Sequence, residues 1–345
     1  MIFGMIGSGS WGTALVKILT DNGHKICWCV RNEKMVQHLE KRHHNPNYLS
    51  SVYFDTSLLS LTTSPASVFE QADHVLIAIP SAYLKDSLEG ITEDTLKGKK
   101  ILSAVKGILP DNNQLLNDFL QSAYNVSLER YFTIMGPCHA EEVAAEKLSY
   151  LTFSGINEDE TAAIANCFKT PYINTVVNTD VYGVQYAAVL KNIYALGSGI
   201  AHGLEYGDNF LSVFIANCAD EMAGFLRLAG ARNIEVGVHA LKDEMHPGKS
   251  PNYAASVYMG DLLVTCYSLF SRNRTFGNMI GKGYSVHAAR LEMNMYAEGY
   301  NASKCIFQIN REMKSEMPIA ETIYRILWEK LPAEEGFKLI EETLI

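Results

Sequence analysis

None of the seven cysteines stands in a CxxC pair, and Cys138, Cys167, Cys218, Cys266 and Cys305 are scattered along the chain. Cys27 and Cys29 lie two apart on a strand-like run and face the same way, so the pattern is that of reduced core thiols and not of a metal cage. Basic excess is lacking too: 29 lysines and arginines against 38 aspartates and glutamates leave a formal charge of −9. That balance argues against nucleic acid or an anionic membrane surface as the main partner, and an anionic ligand would need a local basic pocket. The N-terminus lacks the basic-then-apolar layout of a signal peptide, and the chain has no internal repeat or low-complexity tract. Charge is scarcest in 181–204, where Lys191 is the only fully charged side chain. The apolar length of 181–201 would allow a membrane span, but the central lysine, the glycines and the missing basic flanks read as a buried soluble helix.

At 3.6 residues per turn Ala187, Lys191, Tyr194, Ala195 and Ser198 share one face of that helix, and Gly197 and Gly199 would admit another backbone. Burial strips hydration from an ammonium and draws its proton exchange toward neutral pH. Taken alone, the same pattern also describes a lysine whose flexible stem carries its charge out to water. With 345 residues, 48% hydrophobic and 19% charged, the chain is long enough for two cores.

The first half reads as strand, glycine loop, helix, strand: Ile2–Ile6, then GSGSWG at 7–12, a helix over Thr13–Asp21, and a strand over Lys25–Val30. Gly7, Gly9 and Gly12 have the spacing at which the first permits a tight turn, the second lets a pyrophosphate approach the backbone, and the third brings helix and strand together. Exposed N–H groups at the helix start would hold the anion. The second strand ends in Val30, Arg31 and Asn32, with Glu33 only afterwards, so Arg31 can stack on adenine or pair with a 2′-phosphate, and the phosphorylated cofactor is not strictly excluded. Further strands, Asp73–Pro80, Lys99–Val105 and Tyr131–Met135, end in polar punctuation, which makes Lys106 a site candidate at a carboxyl edge. Tyr150–Ser154 and Tyr172–Val177 read as edge strands, antiparallel to the rest. The β pattern stops near residue 180. This predicts an α/β dinucleotide-binding domain over 1–179 and a helical domain over 180–345.

In the second half, Phe210–Gly230 is helical, 232–259 reads as loop or mixed, and GDLLVTC opens another helix on which Asp261 and Thr265 lie one turn apart. Ser271, Arg272, Asn273 and Arg274 offer the donors and positive charge that an anionic substrate needs; alone, SRNR is also the composition of a solvated turn.

Eight separated motifs, GSGSWGTA at 7–14, Lys106-Gly107, the GPxxAxEV frame at 136–143, LKNIYALGSGI at 190–200, GDLLVTC at 260–266, SRNRTFG at 271–277, AEGY at 297–300 and MPIAETIYRIL at 317–327, together resemble the bacterial NAD(P)-dependent glycerol-3-phosphate dehydrogenases. The resemblance implies a Rossmann-like first domain, an all-α second domain of the 6-phosphogluconate-dehydrogenase type, and a cytoplasmic homodimer. It implies exchange of hydride between NAD or NADP and the pair dihydroxyacetone phosphate and sn-glycerol 3-phosphate, a product that supplies glycerophospholipid synthesis. It assigns Lys191 as the catalytic lysine, with Lys106 as a second cation and Asp261 orienting Lys191. Substrate contacts fall on Lys106, Gly136, Cys138, Lys191, Asn192, Asp261, Thr265, Ser271, Arg272 and Asn273, with Arg272 and Asn273 at the phosphate. Cofactor contacts fall on Gly7, Gly9, Ser10, Trp11, Gly12, Arg31, Lys106, Ala140, Arg272 and Glu298. No metal is required, since two lysines can supply the electrostatics.

Two departures stand out. Cys138-His139 replaces a serine and an aromatic residue, and a thiol is the poorer hydrogen-bond partner. A longer segment, roughly His239–Ser256, precedes Gly260 and reads as a lid, a dimer contact or an inert loop. Ketopantoate reductase and β-hydroxyacid dehydrogenase share the two-domain plan but have no evident need of SRNR; a non-catalytic dinucleotide sensor would need only the first domain.

Overall fold

The structure, a computed structural model, describes residues 2–230, 254–293 and 297–345. The chain forms two compact units, Met1–Val181 and Tyr182–Ile345. Most of the expected insertion, 239–253, lies outside the described residues.

Eight strands form one sheet in the first unit: β1 (Ile2–Ile6), β2 (Lys25–Cys29), β3 (Leu59–Thr62), β4 (His74–Ile77), β5 (Lys100–Ser103), β6 (Tyr131–Met135), β7 (Ser149–Ser154) and β8 (Ile173–Asn178). Their order is β3-β2-β1-β4-β5-β6-β7-β8. Strands β1 to β6 are parallel, β7 is antiparallel to β6, and β8 is parallel to β7, so the last two run against the rest as expected. Side chains alternate between two buried faces: Phe3, Met5, Leu76, Leu102 and Phe132 enter one core, and Ile6, Val75, Ile77, Ile101 and Tyr131 the other. Burial on both faces is why these strands read as continuous apolar runs. The helices of this unit are α1 (Ser10–Asp21), α2 (Glu33–Arg42), α3 (Pro65–Gln71), the short α4 (Leu84–Ser87) and α5 (Glu93–Leu96), α6 (Leu116–Tyr124), α7 (Ala140–Ala144) and α8 (Glu158–Asn166). The chain reverses its progress across the sheet between β1 and β4, the position at which open sheets of this kind take ligands.

The second unit is helical among its described residues: α9 (Val181–Gly203), α10 (Asp208–Leu228), α11 (Asp261–Tyr267), α12 (Arg272–Gly281), α13 (Val286–Glu292), α14 (Glu298–Met313), α15 (Pro318–Trp328) and α16 (Ala333–Glu341). A π-helix, Ala254–Gly260, leads directly into α11. Ala187 to Ala201 are all buried, which marks α9 as the central helix. Glycines bring α12 against it: a Cβ on Gly199 would strike the Arg274 carbonyl, and one on Gly277 the Leu196 carbonyl. Gly203 and Gly281 repeat the contact one turn on. Gly197 does not do this; its space is taken by the side chains of Phe214 and Ile323. Two residues along a helix differ by about 200° of rotation, so Gly197 and Gly199 look at different neighbours. No helix among the described residues is long and apolar enough to cross a membrane.

Candidate active site

In the first unit the glycine loop joins β1 to α1. Gly7 has φ +126°, and a Cβ there would strike the Ala78 carbonyl beyond β4; one on Gly12 would strike the Gly7 carbonyl. These two glycines are fixed by packing. Gly9 is different, because a Cβ there meets nothing within 4 Å among the described residues. It is the N-cap of α1, with no side-chain cap. A bare helix N-terminus beside open space fits a diphosphate held by main-chain N–H groups. The buried indole N–H of Trp11 has no hydrogen-bond partner among the described residues, leaving one more donor at this loop.

Lys106, three residues past β5, sits with its ammonium 5.4 Å from the centre of the Trp11 ring and donates to the Gly136 carbonyl at 3.4 Å. Gly136 has φ +120° and leaves no room for a Cβ, which would come within 2.6 Å of the Tyr150 carbonyl. The buried Cys138 thiol donates to the Gly136 carbonyl at 3.6 Å, a weak bond. Ser10, Trp11 and Ala140 open helices α1 and α7. Arg31 is exposed past the end of β2, Asn32 caps α2, and the Glu33 carboxylate accepts from the Thr63 hydroxyl at 3.0 Å.

In the second unit Lys191, 4% exposed as a residue, donates from its ammonium to Oδ1 of Asp261 and, at 3.1 Å, to the Thr265 hydroxyl. Asp261 and Thr265 share a face of α11, and the Thr265 hydroxyl also donates to the Asp261 carbonyl at 2.5 Å. The charge of Lys191 is therefore held in the core by a carboxylate and is not carried out to water. Asn192, its neighbour, accepts from the Asn273 amide at 2.9 Å, and the Asn273 oxygen accepts from the Gly299 N–H at 2.9 Å. A Cβ on Gly299 would come within 2.5 Å of the Asn192 carbonyl, so the start of α14, with Glu298, is drawn against α9. SRNR is not a turn. Ser271 is the N-cap of α12, accepting from the Arg274 N–H at 3.3 Å, and Arg272 is the first helical residue. Residues 271–274 thus combine two guanidinium groups with the positive end of a helix.

Two supporting residues escape a reading of sequence. Asn45, fully buried, donates to the Ser8 carbonyl at 3.1 Å and the Thr13 hydroxyl at 2.7 Å, pinning the glycine loop. Its setting, HNPN, signals only a turn. Trp28 holds the same loop by donating to the Gly7 carbonyl at 3.0 Å. Burial of a lysine is not by itself a sign of chemistry: Lys17, 8% exposed, pairs with Asp21 at 2.5 Å and Glu146 at 3.0 Å. Burial alone would lower its pKa, but the hydrogen bonds to Asp21, Glu146 and Tyr172 prevail and hold it raised. Among the described residues no group of three or more His, Cys, Asp or Glu is arranged to hold a metal ion.

Residues 3–162 match the family model for the NAD-dependent glycerol-3-phosphate dehydrogenase N-terminus, and residues 180–338 that for the C-terminus. A glycerol-3-phosphate dehydrogenase [NAD(P)+] of Bacillus pumilus is 31% identical over 94% of this chain and 89% of its own length. One of Enterococcus faecalis is 29% identical over 97% and 94%. The crystal structure of glycerol-3-phosphate dehydrogenase from Coxiella burnetii covers 99% of this chain and 98% of its own, with a TM-score of 0.84 at 24% identity.

Proposed function

Since this chain belongs to the NAD-dependent glycerol-3-phosphate dehydrogenase family, we propose that it interconverts dihydroxyacetone phosphate and sn-glycerol 3-phosphate, using NAD or NADP. The observation that carries the proposal is the buried Lys191 held by Asp261 and Thr265. In ketone reduction negative charge grows on the carbonyl oxygen; the Lys191 ammonium neutralises it and donates a proton, and in the reverse direction the amine takes that proton back. Asp261 keeps the ammonium oriented and charged between turnovers. Lys106 is the second cation, Arg272 and Asn273 bind the phosphate, and Asn192 is fixed by Asn273. The Gly7–Gly12 loop, Ser10, Trp11, Arg31, Ala140 and Glu298 hold the dinucleotide, whose reduced nicotinamide supplies the hydride when bound. A buried, anchored ammonium needs no reorganisation as charge develops, which is what makes such groups effective.

The proposal extends to a cytoplasmic homodimer and to supply of glycerol 3-phosphate for glycerophospholipid synthesis. The test is loss of reduced-nicotinamide absorbance with dihydroxyacetone phosphate, ketopantoate and short hydroxyacids offered in parallel, each with both cofactors. Turnover with dihydroxyacetone phosphate is expected; consumption only with another substrate, or with none, overturns the assignment.

A further inference from the structure

Helix α9 is also held by a second carboxylate, which the mechanism does not use. Glu221, on α10, is 7% exposed. Its Oε2 accepts from the Ile319 N–H at 2.7 Å and its Oε1 from the Ala320 N–H at 2.9 Å. Helix α15 has Pro318 in its first turn and no side-chain cap of its own, so Glu221 serves as a cap delivered from another helix. The same Oε1 accepts from the Tyr194 hydroxyl at 3.0 Å. Tyr194 is fully buried and follows Lys191 on α9 by three residues, close to one turn.

A buried carboxylate is costly, and an apolar contact would join α10 to α15 more cheaply. What the charged group adds is direction. The glycine contacts that pack α9 on α12 are close but carry no polar register, whereas a hydrogen bond to a carboxylate fixed at both oxygens locks the rotation of the Tyr194 side chain. A displacement of about 1 Å at a reacting group can cost on the order of a hundredfold in rate.

We propose that Glu221 is a positioning residue for the proton donor: anchored on the α15 amides, its carboxylate holds the Tyr194 hydroxyl and so fixes the turn of α9 that carries Lys191. This rests on the reading of Lys191 as the donor. The role is best served by the ionised form, because all three hydrogen bonds to Glu221 are donated to it. A protonated carboxyl turns one oxygen into a hydroxyl, a poorer acceptor whose proton must be placed among three donors, and so weakens the set. Around this carboxylate stand Tyr194 from α9, Cys218 from α10 and Glu321 from α15, with Cys266 of α11 acting on Tyr194. Burial outweighs the hydrogen bonds from Ala320, Ile319 and Tyr194 and pushes the carboxyl up to about 7, so the switch falls near neutrality.

The experiment compares the full-length wild type with Tyr194→Phe, Glu221→Gln and Lys191→Ala, well below their melting temperatures. Tyr194→Phe should keep its affinity for reduced cofactor and its KM for dihydroxyacetone phosphate within about twofold and lose kcat by roughly ten- to a hundredfold. The fall of kcat on the acid side of neutrality should be present in the wild type and absent from Glu221→Gln. Wild-type kcat in Tyr194→Phe, or the same acid limb in Glu221→Gln, overturns the positioning role. If Lys191→Ala is inactive while Tyr194→Phe is normal, only this inference falls; if Lys191→Ala turns over normally, the donor assignment falls and takes this inference with it.

Discussion

The ammonium of Lys191 donates to Oδ1 of Asp261 with both side chains at most 5% exposed, so α9 and α11 are joined by a buried ion pair. Breaking such a pair from one side leaves a charge that the core cannot hydrate. Asp261→Leu should lose about 3–5 kcal/mol of stability. The double variant Lys191→Met/Asp261→Leu should regain most of that loss while remaining inactive. Calorimetric melting of the single and double variants checks this, and a double variant no more stable than Asp261→Leu contradicts it.

Two glycines should respond to alanine in opposite ways. At Gly9 a methyl group meets open space, so Gly9→Ala should melt near the wild type and bind reduced cofactor at least about tenfold more weakly, because the lost contact is with the ligand. At Gly199 the methyl group strikes the Arg274 carbonyl, so Gly199→Ala should lose about 1–3 kcal/mol or more by forcing α9 and α12 apart. Melting curves and cofactor titration on both variants separate the two cases.

Glu221 makes stability and positioning pull apart. Its carboxyl is raised in the folded protein from an ordinary 4.5 to about 7. A raised carboxyl contributes stability that is complete below pH 4.5 and is lost as pH rises through 7. The wild type should therefore lose roughly 3 kcal/mol relative to Glu221→Gln over that window. A stability difference between the two proteins that does not change with pH contradicts the assignment. The form that supports α9 through Tyr194 is thus the less stable one.

Arg31 is exposed past the end of β2, and the nearby Glu33 carboxylate accepts from Thr63. Arg31→Ala should raise the KM for NADPH several-fold more than that for NADH, since a guanidinium matches a 2′-phosphate and a ribose hydroxyl does not require it. Equal changes with both cofactors would remove Arg31 from the choice.

Seven of the eight strands of the first unit are legible because their signals are local; β3, in which Ser60 and Thr62 alternate with two leucines, offers no apolar run and is not. Glycine spacing, apolar runs and polar strand ends lie within short stretches of chain, and β7 and β8 could be placed at the reversed edge on pattern alone. The second unit was legible in its helices and less so in their uses. SRNR has the composition of a turn, and only the helical backbone after Ser271 identifies that serine as a cap. The Asn273 amide is taken up by Asn192 and Gly299, 81 and 26 residues distant in sequence. Glu221 reads as one more charge on an amphipathic helix until the α15 amides, 98 and 99 residues later, close on it. Lys17 and Lys191 both sit in apolar helical runs, but Lys17 has Asp21 one turn on and adds an exposed glutamate, whereas the carboxylate partner of Lys191 is a buried aspartate 70 residues away.

The most direct measurement is the single-turnover oxidation of reduced cofactor by dihydroxyacetone phosphate in Lys191→Ala, without and with a small primary alkylamine. Cofactor binding should be unchanged and the rate reduced at least about a hundredfold, with partial recovery as the amine supplies the missing ammonium. A near-wild-type rate without amine would contradict the assignment of Lys191 as proton donor.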